Sequence, residues 1–142
     1  MTRIVRGSGP ASIRTARSTV TFSSTSGTVT VFTTTGRVFI TALTAFCTTD
    51  IVENGAVASI ELGGATDADA FIVQTDPAAI SANEWWADAT PVGGVKQMDA
   101  IQVDVMTDEN VILTITGGTN LTSGVLVFDV WYVSVTDDGN LA

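Results

Sequence analysis

Histidine is absent from this chain, and cysteine occurs once, as Cys47. The first absence removes Ser-His-Asp and Cys-His nucleophile activation, the commonest general base and most zinc sites. The second removes any internal disulfide. Cys47 falls in a strand pattern, where a buried, inert thiol is expected. Nothing near it in sequence offers the cations or helix N-terminus that would activate a thiol. Charge is scarce too, at 15 % of residues against the usual ~25 %. Threonine takes much of its place, and suits strands because its branched Cβ packs on the pleat while its hydroxyl faces water.

Long apolar runs are also missing. No stretch approaches the ~20 residues of a membrane span, and no early segment has the apolar core of a signal peptide. The expectation is a protein made in the cytoplasm, without a membrane and without export by a signal peptide. Asn120-Leu121-Thr122 matches the glycosylation sequon, but without a secretory signal it reads as chance. No glycine-rich phosphate loop precedes Lys96 and no G-x-G-x-x-G joins a strand to a helix, so no cofactor is expected.

Carboxylates are the remaining catalytic resource. The chain has fifteen, but its spacing identifies no facing pair of the kind glycosidases need. Asp104, Asp108 and Glu109 stand where solvated strand faces and turns expect acids. Calcium could use the oxygens of Asp67/Asp69 or Asp137/Asp138, yet neither pair has EF-hand spacing, and turn chemistry is the simpler reading. No enzyme and no metal site are expected.

What the chain does have is strand. Val125 to Val135, read Val-Leu-Val-Phe-Asp-Val-Trp-Tyr-Val-Ser-Val, is its densest apolar run. Alternation puts Val125, Val127, Asp129, Trp131, Val133 and Val135 on one face and Leu126, Phe128, Val130, Tyr132 and Ser134 on the other. A one-sided sheet strand carries polar residues on its second face; this one does not. Arg37–Thr48 reads the same way, with Val38, Ile40, Ala42, Thr44 and Phe46 opposed to Phe39, Thr41, Leu43, Ala45 and Cys47. Each such strand needs two covers.

Around these two lie shorter strands. Thr19–Ser23 and Thr28–Thr33 flank SSTSG as a hairpin candidate. Glu53-Asn54-Gly55 is a turn suited to positive φ, followed by strands at Ala56–Leu62 and Asp69–Thr75. Residues 76–91 break the rhythm, with Asp76-Pro77 as a short helical start and two adjacent tryptophans, Trp85 and Trp86. Ala100–Met106 points Ile101, Val103 and Val105 inward, and Val111–Thr116 does so with Val111, Leu113 and Ile115. About nine strands with turns every ~8–12 residues predict an all-β antiparallel β-sandwich, of jelly-roll type first. An immunoglobulin-like sandwich comes second, because no Cys-Trp-Cys framework supports it. The length of 142 residues suits one domain.

The charges are segregated. Five of the six basic residues precede position 50, and all fifteen acids stand from Asp50 onward with one base, Lys96. Residues 1–18, with Arg3, Arg6, Arg14 and Arg17, show neither strand nor helix period and read as an irregular basic N-terminal arm on a sandwich of residues 19–142. Such arms order on binding; an acidic neighbour, including another copy of this chain, is the expected partner. Four spread arginines fall short of a nucleic-acid patch.

Two features invite an interface reading. Asp129 sits on an otherwise apolar face, where a charge needs a partner; an arginine from a neighbouring arm and plain exposure at a sheet rim are the alternatives. Trp85 and Trp86 fit an interface hot spot, a sugar-stacking platform, or one core residue beside an incidental one.

Thr28–Thr49 (TVTVFTTTGRVFITALTAFCTT) and Ile72–Asp88, with Gln74-Thr75-Asp76-Pro77 and the paired Trp, together with the acidic, histidine-free body, resemble small β-sandwich virion proteins of tailed bacteriophages. The resemblance spans residues ~19–135 and is one of overall pattern, without a diagnostic motif. It implies a virion location and a head decoration (cement) protein, homo-oligomeric and often trimeric, bound to the major capsid protein or another virion protein. A tail, fibre or baseplate component that binds host carbohydrate through Trp85/Trp86 is the other role it implies.

Overall fold

In the computed structural model the described residues are 12–55, 59–97, 102–117 and 120–142. Their strands are β1 (Arg14–Thr21), β2 (Gly27–Phe32), β3 (Thr34–Thr35), β4 (Val38–Asn54), β5 (Ser59–Gly63) and β6 (Ile72–Thr75), then β7 (Glu84–Trp86), β8 (Val92–Gly93), β9 (Gln102–Thr107), β10 (Val111–Thr116), β11 (Asn120–Ser134) and β12 (Asn140–Leu141). A single 3-10 turn, Pro77–Ala79, follows β6; Asp76 caps it by accepting the Ala78 N–H at 2.9 Å. That is the short helical start expected of Asp-Pro.

Pairing is nested. β1 pairs with β11, β2 with β10, β4 with β7 and β9, and β5 with β6, all antiparallel. A chain that pairs first with last and works inward is one long hairpin rolled up, the jelly-roll arrangement. It lays out two main sheets, β1-β11-β4-β7-β8 with β9 also on β4, and β2-β10-β5-β6, while β12 and β3 form a separate two-stranded ribbon. The expected all-β sandwich is present.

The core lies between the sheets. From β11 come Leu126, Phe128, Val130 and Tyr132; from the opposite sheet come Phe32, Ile60, Leu62, Val111 and Leu113, none above 1 % exposed. These are the inward sets that strict alternation selects in β10 and β11. Cys47 is wholly buried there, and burial raises its thiol pKa.

Three expectations need correction. The Thr19–Ser23/Thr28–Thr33 hairpin does not form. After β1 the chain stays beside β11, through the Phe22 N–H on Gly124 O and the Thr25–Leu121 bridge, and then crosses to the second sheet. Ser24 at φ 56° and Gly27 at φ 75° turn it there. The arm boundary at residue 18 also shifts. Arg14–Ser18 belong to β1, with Ala16 and Val20 facing the core, because a polar RTARST run still finds backbone partners along β11. Residues 1–11, with Arg3 and Arg6, lie outside the described residues.

The third correction concerns β4. Ile40 lies opposite Tyr132 and Ala42 opposite Trp131, so Thr41 is an extra residue in the ladder. Its hydroxyl donates to Trp131 O at 3.1 Å. Such a bulge flips the face of every residue beyond it. The inward set is therefore Val38, Ile40, Leu43, Ala45 and Cys47, and Ala42, Thr44 and Phe46 follow Phe39 onto the outer face.

Candidate functional site

The outer face of the six-stranded sheet is where the sequence's surplus apolar surface ends up. Strand register sorts it into rows across β4, β11 and their neighbours. One row holds Met106, Phe39 and Val133; the next Ala42, Trp131 and Thr15; then Thr44, Asp129 and Arg17; then Trp85, Phe46, Val127 and Thr19. Phe39, Ala42, Phe46, Trp85, Val127, Trp131 and Val133 are each half-buried. Met106 is 63 % exposed and Ile13, just before β1, 64 %. Ile13, Thr41, Ala42 and Trp131 border a shallow hollow of ≈ 250 Å³. Phe46 and Trp85 pack with ring centroids 4.6 Å apart and planes inclined at 56°, a tilted geometry that suits ring quadrupoles.

Asp129 has its partner within the chain. Arg17, directly opposite on β1, donates from Nε to Oδ1 at 2.7 Å and from Nη2 to Oδ2 at 3.0 Å. This planar two-point contact is the strong form of the pair, and it raises the Arg17 pKa further. The arm of another subunit is not required for it. The reason is register: β1 reaches back to Arg14, which sets Arg17 against Asp129.

Arg14 is likewise occupied at home. It donates to Gly139 O at 3.0 Å and to Asn140 Oδ1 at 2.7 Å, and its guanidinium lies 5.4 Å from the Tyr132 ring centroid. It fastens the C-terminal turn to β1. Arg3 and Arg6 lie outside the described residues.

The two tryptophans separate. Adjacent residues on β7 face opposite sides, and Trp86 is fully buried with its indole N–H donating to Thr75 Oγ1 at 2.8 Å. Trp85 is on the outer face, its N–H on Gly94 O at 3.2 Å. Trp86 therefore corrects the expectation of a paired interface or sugar platform: it is a core residue, and a two-tryptophan platform is not formed.

A second hollow, ≈ 330 Å³, is bordered by Gly64, Thr66, Asp67, Phe71, Met106 and Glu109. Glu109 is held there by the Thr66 N–H at 3.1 Å and the Thr66 hydroxyl at 2.8 Å, which lower its pKa. It is an acceptor already in use. Among the described residues no group of three or more His, Cys, Asp or Glu is placed to hold a metal ion, and no helix is long and apolar enough to cross a membrane.

Sequence reasoning missed Met106, Ile13 and the outward turn of Phe39. The two-sided apolar pattern of the long strands did mark the face; the bulge at Thr41 hid which residues of β4 compose it.

No protein-family model matches the chain, and no curated protein matches it. Among solved structures it is similar in fold to a chain of the capsid asymmetric unit of cyanophage Pam1, with a TM-score of 0.56 and 13 % sequence identity over 94 % of this chain and 93 % of that one.

Proposed function

We propose that the chain is a non-enzymatic virion structural protein, a capsid decoration or cement protein that stabilises a phage head through subunit contacts. The observation that carries this reading is the half-buried apolar outer face of the six-stranded sheet, which a lone soluble sandwich has no use for. The end-to-end likeness in fold to a phage capsid chain supports it.

The mechanism is mechanical. A jelly roll presents one apolar face to neighbours, and Arg3 and Arg6 supply positive charge suited to an acidic neighbouring surface. Contacts that are weak singly add through effective concentration once several are made from one body. Quantitative peptide counting on purified particles tests this reading. The expected result is a fixed copy number per head and earlier heat release of DNA from heads lacking the protein. Absence from purified particles would contradict it.

A further inference from the structure

We infer that the outer face of the six-stranded sheet, centred on Trp131, Phe46 and Val127, packs against a second copy of this chain. This deepens the proposed assembly role by assigning the surface through which copies meet.

Charge selects the occupant. The chain carries a formal net charge of −9, and exposed carboxylates such as Asp69 and Asp76 flank β6 of the opposite sheet. Two copies approaching by those regions repel. Across the rows from Met106 to Trp85, β4 and β11 together place one carboxylate, Asp129, and Arg17 already neutralises it. A second copy can therefore approach the centre of the face, from Trp131 to Val127, without the like-charge cost it meets at the acidic loops and at the Met106 edge, where Asp67, Asp108 and Glu109 border the hollow.

The face is also self-complementary in sign. Its one charged row carries both a cation and an anion, side by side. The Arg17 side chain is 69 % exposed and Asp129 26 %, so Arg17 of one copy can meet Asp129 of the next while apolar rows close around them. A partner with a strongly basic surface would find too little negative charge here to bind by charge. A partner with a strongly acidic one would meet a single arginine whose charge is already matched. Burying half-covered aromatic rings on both sides fits the central anchors of protein interfaces.

Sedimentation velocity of the full chain across a concentration series tests this, with Trp131→Lys, Met106→Lys and the control Val73→Lys. Val73 is 47 % exposed on the other sheet. The expected result is a concentration-dependent oligomer whose dissociation constant rises about tenfold or more in Trp131→Lys. Met106→Lys, at a position already in water, should show a rise without loss of fold by circular dichroism, and Val73→Lys should match the parent. A wild-type chain that stays monomeric, or equal association in all four proteins, would overturn the inference. A monomer whose binding to heads is abolished by Met106→Lys would overturn it too, assigning the face to a capsid partner while leaving the proposed function standing. Association through this face in a protein absent from particles would have the reverse effect.

Discussion

Trp86 and Trp85 show how one step along a strand divides two identical side chains between different tasks. Trp86 buries its whole surface and spends its only donor on Thr75, so truncation leaves a cavity and removes one of the hydrogen bonds of the Thr75 hydroxyl, which still donates to Val73 O. Trp86→Ala is expected to lower unfolding free energy by about 3–5 kcal/mol. Trp85→Ala removes an aromatic pair with Phe46 of about 0.5–1.5 kcal/mol. Urea unfolding of the dilute protein reads both; equal losses would contradict the assignment. The adjacency was legible in the sequence as two opposed faces. Which tryptophan faces inward was not, because that depends on the register of a three-residue strand against Ala45 and Phe46. Asp129 teaches the same lesson. Its need for a cation was evident, but the cation's identity follows from the start of β1 at Arg14, and a run of Arg, Thr and Ser gives almost no strand period.

At the scale of elements, β10 and residues 125–133 of β11 follow their alternation and were readable outright. β4 was not. Thr41 looks like any other threonine of a strand, and only its partner strand reveals that it is one residue too many. The β7–β8 segment is short and aperiodic, and it depends on a local ion pair. Lys96 Nζ lies 2.7 Å from Asp88 Oδ2, with the lysine 13 % and the carboxylate 34 % exposed, and Asp88 also accepts from the Thr90 hydroxyl and N–H. The lysine first, and then the threonine, hold the Asp88 pKa below its ordinary 3.8. A carboxylate whose folded pKa is depressed contributes stability above its unfolded pKa and loses it as pH falls through the folded value. Lys96→Met should therefore lower the melting temperature at neutral pH, with the gap to the parent closing below about pH 4. A gap of constant size down to ~pH 2 would show that Lys96 acts through packing of its stem instead.

Across the whole molecule, the two long strands impose a common demand. Each is apolar on both faces, and a sandwich interior covers only one. Leu126, Phe128, Val130 and Tyr132 are buried against the second sheet; Val127, Trp131, Phe39 and Phe46 stay half-buried on the outer face. The all-β class and jelly-roll nesting were accessible from strand count and turn spacing, since both rest on local pattern. The assembled face was accessible only as a surplus of apolar residues, since its composition depends on the bulge and on the neighbours that register brings to β4.

That face can be read directly by hydroxyl-radical footprinting of the protein free in dilute solution and bound on purified heads. Met106, Trp85 and Trp131 should lose most of their labelling on the head, while Val73 on the opposite sheet keeps its own. Equal labelling of Met106 and Trp131 in the two states would contradict the assignment of the six-stranded sheet's outer face as the contact surface.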